Sequence, residues 1–209
     1  GVESGQMWQL GEHRIICGDC TDPAVVERDM GGEKVEMVFT DPPYGVAVGD
    51  KNKWLHSIGQ TRIGENLQND TGTEEELAQL LSSAFDNAIS VQNEGGAWYV
   101  AAPEGPPHLI FGEVLKVRGI WRQTIQWVKN KATFSPTGVC YHWQCEPIFF
   151  GWLPNGAHRC YGDRTETTAW MIDRPTKSPE HPTMKPIELM ERGIRKSSKT
   201  NEIVLDSFL

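Results

Sequence analysis

The chain has 209 residues, 38% of them hydrophobic, and a formal net charge of −8, which allows one sizeable core or at most two small ones. It holds no run of about 18 apolar residues that would read as a membrane-spanning helix, and its opening, GVESGQMWQL, lacks the basic stretch and apolar run of a secretory signal, so a cytoplasmic protein is expected. Five cysteines, an odd number in a chain of this length, argue against a disulfide framework.

The first apolar run is Arg14 to Cys17, stopped by Gly18-Asp19. The second is Val35 to Phe39, followed by Thr40-Asp41-Pro42-Pro43-Tyr44-Gly45. Both are short, rich in β-branched residues and ended by Gly, Asp or Pro, which predicts buried strands. Residues 22–30 fit a short helix between them. The resulting βαβ unit places two polar strand ends on one edge of an α/β sheet, the edge at which such sheets bind ligands. Residues 45–72 are polar and glycine-rich and read as a long mobile loop.

A helix is predicted from Thr73, where Thr73 and Glu76 have the spacing of a capping box. Leu77, Leu80, Leu81, Ala84, Phe85, Ala88 and Ile89 follow at helical intervals. Gly95-Gly96 then breaks the chain ahead of a third strand, Ala97 to Ala102. Residues 106–117 read as a helix. Ile120 to Val128 and Pro147 to Trp152 read as strands joined by a 129–146 loop. Residues 153–181 lack a period and read as irregular surface. A last helix is predicted from Ile187 to Ser197, with Pro186 near its first turn, and a last strand over Ile203-Val204-Leu205.

Charge is unevenly distributed. Residues 1–113 hold six Lys/Arg against nineteen Asp/Glu, and residues 114–209 hold fourteen against nine. The second half can therefore meet a polyanion while the acidic half faces away, or it is an ordinary solvated surface. Cys17 and Cys20 form a C-x-x-C, and Cys140, His142 and Cys145 lie close together, but a zinc site needs four tetrahedral ligands. Small buried residues are the favoured reading, and no metal is expected.

Asp41-Pro42-Pro43-Tyr44 is the sharpest chemical signal. The lone pair of an exocyclic amine on a base is delocalised into the ring and is a poor nucleophile. A site improves it by accepting hydrogen bonds from both amine hydrogens. Asp41 offers a carboxylate, Pro42 offers a backbone carbonyl, and the two prolines fix φ and remove backbone donors, so Pro42 and Pro43 stiffen the turn. Tyr44 offers a flat face for a base drawn out of the duplex. A bare Asp-Pro is also a common turn opener; its place after a Val-rich strand favours the chemical reading.

The segments Leu10–Arg14, Cys17–Cys20, Thr40–Tyr44, Glu146-Pro147, His181-Pro182-Thr183-Met184-Lys185-Pro186 and Val204–Phe208 occur in an order that resembles DNA amino-methyltransferases of the β arrangement, notably phage, prophage and ParB-associated types. The resemblance spans nearly the whole chain as a single catalytic domain, 1–209. It implies a Rossmann-like S-adenosylmethionine-dependent sheet in circularly permuted order, with adenine N6 of a flipped base in double-stranded DNA as the target. It implies that Asp19, Cys20, Asp41, Lys185, Asp206 and Phe208 hold the cofactor and that Asp41, Pro42, Pro43 and Tyr44 hold the base. Lys185 is the expected partner of the cofactor's carboxylate. The family's Gly-rich loop would follow Asp206 and Phe208, beyond Leu209, so an incomplete cofactor site is expected.

In the family, target recognition falls in segments corresponding to 129–146 and 153–181. Lys129, Lys131, Arg159, Arg164, Arg174 and Lys177 are accordingly expected at DNA. Trp121, Trp127, Trp143, Trp152 and Trp170 can stack bases or fill the core, and Trp121 or Trp127 is expected in the core. Cytosine N4 methylation, for which the family more often carries Ser at the Asp41 position, and an inactive DNA-binding remnant are the alternatives. A homodimer, a restriction endonuclease partner and a C-terminal fragment partner all stay open.

Overall fold

The computed structural model describes residues 2–45, 73–133, 140–174 and 184–209. The 45–72 loop, the middle of 129–146, Lys177 and His181 to Thr183 lie wholly or almost wholly outside the described residues.

Two sheets are present among the described residues. The smaller is an antiparallel hairpin of β1 (Met7–Leu10) and β2 (His13–Ile16). This corrects the expected βαβ unit: the Arg14 to Cys17 run does not enter the main sheet. It is only part-buried, because a tight turn at Gly11-Glu12 hands β2 a partner from the preceding residues, and local pairing closes at less entropic cost than a distant one. Helix α1 (Pro23–Met30) follows. Asp22 caps it by accepting from the Ala24 N–H, and Gly31 ends it in the left-handed region at φ 58°.

The main sheet has six strands in the order β7-β5-β6-β4-β3-β8. Strand β3 (Val35–Thr40) runs parallel to β4 (Gln92–Ala101) on one side and β8 (Val204–Leu205) on the other. Next come β6 (Trp143–Trp152), antiparallel to β4, and β5 (Trp121–Thr133), antiparallel to β6. The edge strand β7 (Ala169–Met171) is parallel to β5. The α/β class is as expected. Three boundaries differ. β4 starts at Gln92 and runs through the glycine pair, β5 and β6 extend into the expected 129–146 loop, and the expected irregular segment contributes β7.

The glycine pair is a bulge rather than a break. Val35 faces Gln92 and Met37 faces Ala97, so β4 carries extra residues there. Gly95 has φ +67°, and a Cβ on it would lie 2.2 Å from the Ala157 carbonyl oxygen, so only glycine fits. Gln92 brackets the bulge, accepting from Trp98 Nε1 at 2.6 Å and donating to the Ala97 carbonyl at 3.2 Å. These bonds satisfy a buried amide.

Side chains alternate across the sheet and build two cores. Val38, Trp98, Val100 and Phe149 face α1, α2 (Glu74–Ser90) and α3 (His108–Val117). Met37, Phe39, Tyr99, Ile125, Trp127, Ile148 and Trp170 face α4 (Ile187–Ser197). Helix α2 begins with the predicted capping box, Glu76 N–H to Thr73 Oγ1 and Thr73 N–H to Glu76 Oε2. Helix α4 approaches β3 closely because Gly193 lies over Phe39, where an added Cβ would come within 2.7 Å of the ring. One turn further on, the Ser197 hydroxyl hydrogen-bonds the buried Tyr99 hydroxyl at 2.9 Å. These contacts fix the helix, and therefore Lys185 just before it, relative to the carboxyl end of β3.

Candidate active site

The site lies where the parallel strands β8, β3 and β4 end, the edge at which open α/β sheets bind ligands. Asp41 follows β3. Its Oδ2 accepts from Lys185 Nζ at 2.7 Å, while its Oδ1 is buried without a hydrogen-bond partner among the described residues. The Lys185 ammonium also lies 2.7 Å from Glu146 Oε1 and 3.0 Å from the Tyr44 hydroxyl. Tyr44 donates to Glu146 Oε1 at 2.8 Å, and its ring meets Phe111 edge-on at 6.2 Å. On the far side of Glu146, Oε2 takes Lys129 Nζ at 2.6 Å. Side chains of Lys129, Lys185 and Glu146 are only 10%, 12% and 14% exposed.

Electrostatics follow from this packing. Burial opposes ionisation of Glu146, but the charges of Lys185 and Lys129 and the hydrogen bonds they donate win, and its pKa falls to about 2. Burial likewise opposes the Lys185 cation, and Asp41 and Glu146 outweigh it, so the ammonium is held above its ordinary value. Burial pushes the Tyr44 phenol well above its ordinary value, helped by the nearby Asp41 and Glu146 charges. Tyr44 therefore acts as a fixed neutral donor.

Asp206, after β8, joins the same edge. Its Oδ1 accepts from Thr40 Oγ1 at 2.6 Å and from the Phe208 N–H at 3.0 Å. Burial raises its pKa, and the Asp41 charge adds to that rise. Cys20 packs on the first core, and its carbonyl accepts from Asn87 Nδ2 at 3.0 Å. Its thiol is pushed up to about 11, first by burial, then by Asp19, with Asp206 contributing. The Asp19 carboxylate is turned back on its own loop, accepting from Thr21 N–H and Oγ1. Asp19, Cys20, Asp41, Tyr44, Lys185, Asp206 and Phe208 are thus gathered along one edge from four chain segments.

The basic residues divide. Lys129 belongs to the site, its ammonium engaged by Glu146 and lying 4.7 Å from the Trp127 ring centroid. Lys131 is exposed, and the Arg174 N–H meets the Asn130 side chain beside it. Arg164 is exposed. Arg159 pairs with Glu36 on the opposite end of β3 from Asp41, so the structure does not bring it to this edge. Trp127 and Trp170 are buried, whereas Trp121 and Trp143 are 39% and 46% exposed. Sequence reasoning missed Glu146 and Thr40 as site residues. Glu146 stood in a recognised segment, and its position opposite Trp127 on the buried sheet face was the signal available once the hairpin register was known.

The fold is similar to that of M1.HpyAVI solved as a complex with SAM, with a TM-score of 0.57 at 22% identity over 88% of this chain and 78% of that one. It is likewise similar to the PvuII DNA methyltransferase described as cytosine-N4-specific, with a TM-score of 0.59 at 14% identity over 88% of this chain and 70% of that one. No curated protein sequence matches the chain significantly. The N6/N4 methyltransferase family model, described as DNA methylase, matches residues 35–209. This stretch runs from β3 through Asp41, Tyr44, Glu146, Lys185, Asp206 and Phe208, with Asp19 and Cys20 ahead of it, and on it the chain belongs to the N6/N4 family of DNA methylases.

Proposed function

We propose that this protein moves a methyl group from S-adenosylmethionine to the N6 amine of an adenine turned out of double-stranded DNA. One observation carries the reading. Lys185 anchors one Asp41 oxygen, and the other is buried with no partner among the described residues. An unpaired buried acceptor costs roughly 1–3 kcal/mol, so the site is built for a donor that arrives with the substrate, and an exocyclic N–H is such a donor. Pro42 brings a second acceptor through its carbonyl and no competing N–H. Two acceptors on one amine draw its hydrogens away and return electron density to nitrogen. Tyr44, its hydroxyl locked by Glu146 and Lys185, presents its ring to the base.

Asp206, which feels the Asp41 charge, and Phe208, Cys20 and Asp19 beyond it are assigned to the cofactor. Their mix of carboxylates, backbone groups and an aromatic ring fits a nucleoside bearing a cationic sulfonium, and M1.HpyAVI, of similar fold, is solved with SAM. When bound, S-adenosylmethionine supplies a methyl carbon activated by the positive sulfur. The protein's contribution is to orient the amine on Asp41 and keep the reacting groups in line. Lys131, Arg164, Arg174 and Lys177 are assigned to phosphate. Asp at position 41 favours adenine by the family resemblance. Cytosine N4 is the second reading, because the PvuII enzyme of similar fold is cytosine-N4-specific.

The test is transfer of labelled methyl from S-adenosylmethionine to unmethylated duplex DNA, followed by nucleoside analysis. N6-methyladenine is expected. N4-methylcytosine overturns the adenine assignment, and unlabelled DNA overturns the catalytic one.

A further inference from the structure

Glu146 is not itself among the residues assigned above to the base or the cofactor, and its carboxylate is bound to Lys185, Tyr44 and Lys129. It is nonetheless the hub of the site. One oxygen holds both Lys185 Nζ, at 2.7 Å, and the Tyr44 hydroxyl, at 2.8 Å, and the other holds Lys129 Nζ at 2.6 Å. Lys129 and Glu146 come from opposite strands of the β5–β6 hairpin, Lys185 from the start of α4 and Tyr44 from the loop after β3. Four elements are tied through one side chain.

A buried ion pair adds little net stability over an apolar substitute. An apolar cluster here would pack as well without any lysine. What an apolar cluster would not do is hold an ammonium at a set distance from one oxygen of Asp41 and leave the other open. From these contacts we infer that Glu146 is a positioning residue for the methyl-transfer reaction, fixing Lys185 and the Tyr44 hydroxyl so that Asp41 presents its free oxygen to the substrate amine. The inference rests on the proposed amine methylation.

Balance of charge supports the assignment. Lys129 and Lys185 both face Glu146, with Asp41 on the other side of Lys185 and the Glu104 charge near Lys129 and Glu146. Removing the Glu146 charge leaves Lys185 with Asp41 as its one remaining ion-pair partner among the described residues. Lys185, already 2.7 Å from Asp41 Oδ2, is then free to swing across the carboxylate, compete for its open oxygen and let Tyr44 rotate. The amine would meet a misaligned acceptor, and a displacement of about 1 Å costs on the order of 10²-fold in rate.

The test compares wild type, Glu146→Gln and Glu146→Asp. Single-turnover methyl transfer to duplex DNA is measured across pH, together with DNA affinity, thermal unfolding and the titration of the Lys185 ammonium by nitrogen NMR. Glu146→Gln is expected to lower the transfer rate about 100-fold with DNA affinity within a few-fold of wild type. The alkaline limb of its rate profile moves to lower pH, because Lys185 loses an anionic partner that opposed its burial. Glu146→Asp, which keeps the charge, recovers part of the rate and tests the same point if the Gln variant does not fold. A Gln variant within threefold of wild-type rate, or a Lys185 titration unmoved in both variants, overturns the inference. If wild type itself transfers no methyl to DNA, the amine-methylation reading fails, while the Lys185 titration still decides whether Glu146 sets that lysine.

Discussion

The acid sensitivity of the fold should be written largely in Glu146. A glutamate held at about 2 instead of the ordinary 4.5 stabilises the folded, ionised form by about 3 kcal/mol, at roughly 1.36 kcal/mol per tenfold change in proton affinity. The group is buried, so solvent screening takes little from this figure. The sign follows from a depressed folded-state pKa. The contribution is fully present above about pH 4.5 and is lost as pH falls toward about 2. Glu146→Gln keeps the shape and removes the titration. Urea unfolding of wild type and variant, followed from neutral pH downward, should show the variant weaker by about 3 kcal/mol at neutral pH. The gap should narrow below about pH 4.5 and keep closing as wild type takes up the proton. A gap independent of pH would refute the reasoning, since it would mean that lost packing rather than lost charge set the cost.

Asp41→Ala should abolish methyl transfer while calorimetry shows S-adenosylmethionine binding largely retained; an active alanine variant would sink the mechanism. Gly193→Ala places a methyl 2.7 Å from the Phe39 ring, so α4 must shift at a cost of about 1–3 kcal/mol; because Lys185 sits at the head of that helix, the transfer rate should fall as well, and stability loss without a rate change would count against the coupling. Thr73→Ala removes one half of the capping box of α2 and should cost about 1 kcal/mol, read as a melting temperature lower by a few degrees with no change in the pH dependence of stability.

Much of the fold was legible because its signals are local. Thr73 and Glu76 announce a helix start within four residues, and the α4 boundaries follow from Pro186 and an amphipathic run. The D-P-P-Y turn stands out as a candidate site for the same reason: strand, turn and chemistry are contiguous. What was not legible depended on pairing partners. Arg14 to Cys17 has the look of a core strand, yet its partner is Met7–Leu10 and not β3. Gly95-Gly96 reads as a break until Ala157 and Gln92 are seen pressed against it. The ends of β5 and β6 that fall within 129–146 are polar because they run beyond β4, where Lys129 and Glu146 replace Trp127 and Ile148. Glu146 escaped notice as a site residue because a lone glutamate has no pattern; its role comes from two lysines and a tyrosine 17, 39 and 102 positions away.

Those separations bear on how the molecule comes to work. The bonds that close the site join residues 144, 102 and 166 positions apart, and each requires β3 to lie beside β4 and β8 with β6 already docked. Contacts of such span form late, because loop-closure entropy must be overcome before they bring any gain. During refolding, helical signal from α2 should return first, and methyl-transfer competence should lag behind it, appearing only with the last long-range pairings. Catalytic competence in this protein is thus a readout of completed topology: an intermediate with native helices and a partial sheet has every residue of the site and none of its geometry.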